Sequence, residues 1–434
     1  MSALCKFLLA CGCSVSGEDV AKGERAEELL MRGVEISFGE EECAKIEQRF
    51  CEAEAIIYTS AIPEDHQRLV AARKRGKKVF RRAEFLKEVC LAFKATTAIA
   101  GSHGKTTCTA MCAHILNATG VPFAAHIGGE DSTFGNFYMS GREFFVTEAC
   151  EYKKNLLDIV ADNAVLLNVD KDHMECYRDE EDLLSTFRSY LDGAKTAFVC
   201  ADDKKCRLFG DKYSTFGIKN PLSDYRAVQL RESGERYSFT VKEYGKSLCR
   251  VRLKATGKYN VYNALAALAA MRRYGFGEKE ICRGLEEFEG VKRRFERIGS
   301  YQGATFICDY AHHPREIAAT LSTAKKVAKG DLYVVFQPHT YSRTRLLMDE
   351  FVTSLRGIDN LLVFKTYPAR EFFDELGSAK TLASNLGNCL YAESVRELRR
   401  WLTGNLRAGD VALFLGAGDI YYAAQYLLRE LNKR

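Results

Sequence analysis

The chain has 434 residues, with 63 Lys and Arg against 58 Asp and Glu, a net charge of only +5, and 47% hydrophobic residues. That length exceeds one core and predicts about two to four domains. The balanced charge excludes a polybasic nucleic-acid binder, and no uncharged run approaches the ~20 residues a bilayer-spanning helix needs.

In chain order, Met1 to Cys11 reads as a helix whose apolar run is short and interrupted by Lys6, with no basic leader, so no signal peptide and a cytoplasmic protein are expected. Sixteen cysteines then read as reduced thiols. Most sit among apolar neighbours: Cys108 and Cys112 in one helix, Cys200 at the end of a strand, Cys308 inside another. Cys11-x-Cys13 has the wrong spacing for zinc. Strands are predicted near Val34–Phe38 and Ala55–Tyr58, and helices near Pro63–Arg75 and Ala83–Phe93.

Next, Thr97-Ala98-Ile99-Ala100 predicts a buried strand, and Cys108 to Thr119 a helix that Gly120 stops. Between them lies Gly101-Ser102-His103-Gly104-Lys105-Thr106-Thr107. A strand feeding a glycine-rich turn that opens a helix points several backbone N–H groups, and the positive end of the helix dipole, at one spot. Lys105 is placed to reach the outer phosphates of a nucleotide, and the Thr106 hydroxyl to ligate its Mg²⁺. The strict P-loop has a glycine five positions before Gly104, where this chain has Ile99, so the loop is a short variant. The expected ligand is ATP or a close relative. A turn without a nucleotide is the alternative.

Strands Phe144–Glu148 and Ala164–Val169 follow. Glu148 ends the first, and Asn168-Val169-Asp170-Lys171-Asp172-His173 follows the second. Open α/β sheets bind ligands beyond the carboxyl ends of their strands. Glu148 and His173 are therefore candidate partial ligands for the magnesium held by Thr106, or for a second ion beside it; a helix cap or surface charge is the alternative. From Val228 to Leu253 the residues alternate, as in antiparallel strands. Gly257-Lys258-Tyr259-Asn260-Val261-Tyr262-Asn263 then opens a helix running to Tyr274. Asn260 and Asn263 are one turn apart, and an amide offers the donor and acceptor that an adenine edge needs. A simple helix cap is the other reading of Asn260.

From about Arg293, strands Thr305–Asp309, Leu332–Phe336, Asn360–Phe364 and Val411–Leu415 alternate with helices. Asp309-Tyr310-Ala311-His312-His313-Pro314 follows the first of these, and Phe336-Gln337-Pro338-His339-Thr340-Tyr341-Ser342-Arg343-Thr344-Arg345 spans the end of the second. Arg343 and Arg345 are placed to clamp a carboxylate or phosphate. Gly416-Ala417-Gly418-Asp419 makes a third loop on the same edge. The alternation throughout predicts α/β layers with largely parallel sheets. Six prolines and no Ser/Gly-rich tract leave no long linker.

These loops, in this order, resemble the Mur ligases of bacterial cell-wall synthesis across essentially the whole chain. Gly101 to Thr107 looks like the family's ATP loop, Glu148-Ala149-Cys150-Glu151-Tyr152 its acidic strand end, Asn168 to His173 its Asn-x-Asp-x-Asp-His segment, and Asn260 with Asn263 its Asn-x-x-Asn. Thr59-Ser60-Ala61-Ile62-Pro63 and Arg82-Ala83-Glu84 resemble its UDP-binding domain. The resemblance implies an α/β protein of three domains: a truncated Rossmann-like UDP-sugar domain at 1–92, a central P-loop ATPase-type domain with a mostly parallel sheet at 93–292, and a C-terminal Rossmann-like α/β domain at 293–434. Family members begin with a strand and a Gly-x-Gly-Gly-x-Gly-Met-Ser loop, whereas this sequence starts at Met1-Ser2. The expectation is therefore a first domain without its first strand, through a late start assignment or with weak UDP-sugar binding. Thr340 stands where some members carry a basic residue.

The implied activity is ATP-dependent joining of L-alanine to the carboxylate of UDP-N-acetylmuramate through an acyl phosphate, in peptidoglycan precursor synthesis. ATP and Mg²⁺ are the implied cofactors. The partners are small molecules, neither nucleic acid nor membrane, and the chain is a monomer or weak dimer. Residue by residue, the resemblance puts Lys105 on the β/γ-phosphates. Magnesium falls to Thr106, Glu148 and His173, and adenine to Asn260 and Asn263. Arg294 and Asp309 lie near the nucleotide, His312 and Arg343 on the L-alanine and muramoyl side, and Gly128, Gly129 and Asn136 along the sugar-nucleotide path. His312 is the candidate base. The rival readings are a ligase recycling murein tripeptide and a degenerate nucleotide-binding regulator or scaffold.

Overall fold

The computed structural model describes residues 1–20, 22–39, 43–171, 173–233 and 236–433; Asp172 of the acidic motif lies outside them. The chain divides into two compact units, one comprising Met1–Arg226, Lys242–Leu248 and Tyr262–Gly284, the other Ala227–Val241, Cys249–Val261 and Leu285–Arg434.

The first unit opens with the helix Ser2–Ala10. Its Leu4 and Phe7 pack with Leu86, Val89, Cys90 and Phe93 and with Ala124 and Phe145 in one apolar cluster. Strand β1 (Ser16–Asp19) pairs in parallel with β2 (Glu35–Phe38), and β3 (Ala55–Tyr58) with β4 (Lys78–Arg81). The large sheet contains β5 (Ala95–Ala100), β6 (Phe123–Asp131), β7 (Gly135–Met139), β8 (Phe144–Glu148), β9 (Asn163–Leu166), β10 (Thr196–Cys200), β11 (Ser214–Gly217), β12 (Tyr225–Ser233), β13 (Arg236–Glu243) and β14 (Lys246–Leu253). Their order is β14-β13-β12-β11-β10-β9-β5-β8-β6-β7. From β11 to β6 the pairings are parallel. This suits strands whose side chains are buried on both faces, such as β9. The hairpin of β13 and β14 turns through Tyr244-Gly245 alone, a connection short enough only for antiparallel neighbours.

The helix Lys105–Thr119 runs behind β5 and is buried almost all round, with Cys108, Met111, Cys112, Ile115 and Leu116 wholly inaccessible. A helix without a polar face is a core helix, and its first turn is fixed as firmly as the sheet. Among the described side chains the cysteines form no disulfide.

The second unit carries β15 (Glu296–Tyr301), β16 (Ala304–Asp309), β17 (Leu332–Phe336), β18 (Asn360–Phe364), β19 (Leu390–Ala392) and β20 (Val411–Leu415) in the order β15-β16-β20-β17-β18-β19. All pairs are parallel except β15 with β16. Alternate strand residues feed two cores. Ile307, Val334, Phe336 and Leu413 pack on the helices Pro314–Val327, Met348–Leu355 and Ala379–Leu386. Phe306, Cys308, Val335 and Phe414 pack on Val395–Asn405 and Ile420–Leu431. The strands predicted at β16, β17, β18 and β20 fall on their predicted spans. The helix predicted from Asn260 to Tyr274 runs Tyr259–Arg272. No described helix is long and apolar enough to cross a membrane.

Candidate active site

In the first unit, chain order reverses at β5. The strand lies between β8 and β9, and the next strand in sequence, β6, lies beyond β8. Ile99 is in register with Glu148 and Ala100 with Leu166, so the loops after β5, β8 and β9 emerge side by side. Such a switch point opens a crevice at the carboxyl edge of a sheet.

The loop leaving β5 needs both its glycines. Gly101 (φ 135°) and Gly104 (φ 89°) lie in the left-handed region. A Cβ on Gly104 would stand 2.6 Å from Asn263 Oδ1, and one on Gly101 3.1 Å from the Asn168 carbonyl oxygen. Asn263 is thus seated against the phosphate loop. Asn168 braces it by accepting the His103 N–H at Oδ1 (2.8 Å) and donating Nδ2–H to the His103 carbonyl (2.9 Å). The Asp170 N–H donates to Ser102 Oγ (2.8 Å), and Asp170 Oδ2 lies 3.1 Å from His103 Nε2. Asn168 and Asp170 were legible only as motif letters. Their work is to frame the loop.

Lys105 begins the helix, and Thr106 and Thr107 are buried in its first turn. The Lys105 ammonium donates to the Gly101 carbonyl (2.5 Å) and stands 3.0 and 2.9 Å from the two carboxylate oxygens of Glu151. Burial works against its charge, but Glu151 outweighs that and holds the ammonium above its ordinary range. No role for Glu151 follows from the sequence alone; its one signal is a carboxylate three residues past Glu148 in the same loop. Glu148 is fixed by accepting the Gly128 N–H at Oε1 (2.7 Å). His173, itself left-handed (φ 55°), sits edge-on to Tyr152 with ring centroids 5.1 Å apart and Nδ1 3.4 Å from Glu175. The contacts join Gly101 to Lys105, Asn168, Asp170, Glu151 and Asn263, while Glu148 and His173 are held by these other partners.

The two asparagines of the helix Tyr259–Arg272 take different partners. Asn260 donates to the Thr256 carbonyl (2.7 Å) in the preceding turn, whereas Asn263 faces the loop. Asn136 is also engaged at both ends, accepting from Lys6 Nζ (2.7 Å) and donating to Ser2 Oγ (2.8 Å).

In the second unit, the loops after β16 and β17 bring His312, His339 and Arg343 together. The His312 and His339 rings lie 5.7 Å apart, and Arg343 Nη1 is 3.2 Å from His339 Nδ1. His312 Nδ1 meets the Tyr310 carbonyl oxygen at 3.0 Å and lies 3.4 Å from a Glu316 carboxylate oxygen, so Nδ1 carries a proton. His339 stacks on Tyr367 at 5.5 Å. The expected arginine pair diverges: Arg345 turns to Asp374 (2.9 Å). Thr340 adopts φ 65°, a strained value for a β-branched residue, and its N–H is pinned to the Tyr367 carbonyl (2.9 Å). Arg293 and Arg294 lie over the Tyr310 ring at 4.8 and 4.9 Å. Asp309 is buried, accepts the N–H groups of Phe295 and Ala311, and is pushed up to about 6 by that burial, with Arg294 opposing.

A glycine loop at the amino end of a core helix, carrying a lysine and a threonine and flanked by carboxylates at a sheet's switch point, belongs to an enzyme that uses a nucleoside triphosphate. Family comparison names the group. Residues 1–94 match the Mur ligase family catalytic domain, 99–271 the Mur ligase middle domain and 293–418 the Mur ligase glutamate ligase domain, and the chain belongs to the Mur ligase family. It is 36% identical over 440 residues to the UDP-N-acetylmuramate–L-alanine ligase of Clostridium acetobutylicum, covering 99% of this chain and 95% of that one. The corresponding ligase of Lachnospira eligens is 36% identical over 444 residues, with the same coverage. Among solved structures, the UDP-N-acetylmuramate-alanine ligase MurC of Thermotoga maritima aligns with a TM-score of 0.83 at 26% identity, over 99% of this chain and 96% of that one. The three-domain α/β fold expected from the sequence is that of this family.

Proposed function

We propose that the protein is an ATP-dependent ligase joining L-alanine to the carboxylate of UDP-N-acetylmuramate in peptidoglycan precursor synthesis. The observation that carries the reading is the convergence of three sheet-edge loops on the amino end of one buried helix, with Lys105 at its first position. The choice of substrates is supported by relatives of that name matching nearly the full length of the chain.

The reaction falls into two steps. A muramoyl carboxylate oxygen attacks the γ-phosphorus of ATP, the β–γ bridging bond breaks, and ADP leaves an acyl phosphate. The alanine amine then attacks the acyl carbon, loses its proton and expels inorganic phosphate. Repulsion between anions is the obstacle to the first step, and Lys105, with the N–H groups of the loop, supplies positive charge at that point. Thr106, Glu148 and His173 would hold Mg²⁺: two oxygen donors and one imidazole suit a hard cation that keeps several waters. When bound, the ion neutralises phosphate oxygens. Asn263 faces the nucleotide from beside Gly104, with Asn260, Arg294 and Asp309 assigned to it as well. His312, whose Nδ1 is engaged by the Tyr310 carbonyl, is the base for the amine through Nε2, and Arg343 takes a substrate carboxylate.

Phosphate release should require ATP, UDP-N-acetylmuramate and L-alanine together. It should be far slower with the murein tripeptide L-alanyl-γ-D-glutamyl-meso-diaminopimelate in place of L-alanine. Lys105→Ala should lower turnover by a factor of about 10² or more, as loss of a phosphate-binding charge does. Undiminished ATP affinity and turnover in that variant would refute the reading. If His312→Ala kept full kcat at saturating L-alanine, the base would lie elsewhere.

A further inference from the structure

We propose that Glu151 is the positioning residue for Lys105, its carboxylate fixing where the ammonium stands above the phosphate loop; this rests on the functional reading above. Glu151 is only 1% exposed. A buried carboxylate is costly unless its oxygens are matched, and here both face one ammonium, at 3.0 and 2.9 Å. Lysine carries its charge on a flexible four-carbon stem and meets phosphate as a point charge, so its location decides its usefulness. With Glu151 on one side and the Gly101 carbonyl at 2.5 Å on the other, the ammonium is confined to the space over the loop.

Glu151 is itself held by a strained turn. Lys153 (φ 50°) and Lys154 (φ 58°) both adopt the left-handed conformation, one that residues other than glycine rarely take. The turn survives because its surroundings over-determine it. The Glu151 carbonyl accepts the Lys154 N–H (2.9 Å) and the Tyr177 hydroxyl (2.5 Å). Lys154 Nζ donates to both oxygens of the buried Asp182 (2.8 and 2.9 Å) and lies over the Tyr177 ring. Lys153 Nζ reaches the Ser60 carbonyl (3.2 Å). The two consecutive left-handed residues follow Glu151 directly and tie back to its carbonyl through the Lys154 N–H. The assignment also separates two neighbouring acids: Glu148 is the metal-side carboxylate, and Glu151 serves the lysine.

The test is a double-mutant cycle on the full chain, using Glu151→Gln, Lys105→Ala and the double variant. Turnover is read by phosphate release, and ATP affinity by titration calorimetry for any variant too slow to turn over. Glu151→Gln should lower kcat about 10- to 100-fold with the KM for ATP changed less than about threefold, and should add less than about twofold in the Lys105→Ala background. By calorimetry, its ATP Kd should likewise change less than about threefold. Glu151→Asp, which keeps the charge but shortens the reach, should recover part of kcat and serves alone should the glutamine variant not fold. Additive losses in the cycle, or a Glu151→Gln defect cured by excess Mg²⁺, would overturn the proposal. A Lys105→Ala enzyme with full turnover would instead sink the functional reading, whereas an inactive Lys105→Ala with a silent Glu151→Gln would sink only this inference.

Discussion

Gly104 shows how much a single position in the phosphate loop constrains. Its φ of 89° is open to glycine, and any Cβ there would press on Asn263 Oδ1 at 2.6 Å and Leu167 Cδ1 at 3.2 Å. Gly120, which stops the same helix, is also left-handed at φ 74° but has open space around it. Alanine at either site costs about 1–2 kcal/mol of backbone strain. Only Gly104→Ala should also raise the KM for ATP, by about tenfold or more, because it displaces Asn263 and with it the glycine loop that Asn263 packs against. Melting curves and ATP titrations of the two variants would check this, and equal kinetics in both would refute it. At this scale, what could be read from the sequence was chemistry carried by contiguous residues, as in Gly101 to Thr107. The Lys105–Glu151 pair spans 46 positions and is followed by a left-handed turn at Lys153-Lys154 that no residue type announces. The divergence of Arg345 toward Asp374 depends likewise on a loop fold that spacing does not encode.

Among elements, the helix Tyr259–Arg272 shows how a loop elsewhere in the sheet is made to serve the site. Asp202, just past β10, accepts the N–H groups of Ile218, Lys219 and Asn220, each at 2.8 Å, and the Tyr262 hydroxyl at 2.8 Å. Burial opposes its charge, yet these donors hold the carboxylate below its usual range. Tyr262 immediately precedes Asn263, so this bond sets the rotation of the helix that delivers the amide to Gly104. Tyr262→Phe should cost about 1 kcal/mol, the ordinary worth of one hydrogen bond, and raise the KM for ATP with kcat unchanged. Asp202→Ala would orphan three N–H groups and a hydroxyl and should cost about 3 kcal/mol or more. Denaturant unfolding and steady-state kinetics would check both, and a Tyr262→Phe protein matching the parent in stability and KM would refute the coupling. Strands β16, β17, β18 and β20 were legible because burial on both faces leaves continuous apolar runs. Strand β1, Ser-Gly-Glu-Asp with all four residues exposed, carries no such pattern. Strand β19 has three residues, too few to show a period.

For the molecule as a whole, two buried groups pull stability in opposite directions with pH. His126, in the first unit, accepts from Arg82 Nη2 (3.3 Å) at Nε2, which leaves its proton on Nδ1 facing Thr147 Oγ1 (2.9 Å). Burial, then the guanidinium, lowers it from an ordinary 6.5 to about 3. The unfolded chain therefore binds the proton first as pH falls, and stability present above pH 6.5 is lost progressively toward pH 3. At 1.36 kcal/mol per unit the full swing is at most about 5 kcal/mol. Asp309, in the second unit, has the reverse sign: burial raises it from 3.8 to about 6, so the folded state holds the proton longer. Its contribution is complete below pH 3.8 and is lost as pH rises to 6, at most about 3 kcal/mol. Removing each group should tilt the stability profile in opposite senses. His126→Gln, which can still accept from Arg82 and donate to Thr147, should flatten the loss of melting temperature between pH 6.5 and 4. Asp309→Asn should abolish an opposing term and make the parent's rise in melting temperature from pH 4 to pH 6 steeper. Calorimetric melts of the parent and both variants across pH 4 to 7 decide it: profiles that run parallel to the parent's would mean that neither group is buried in its neutral form.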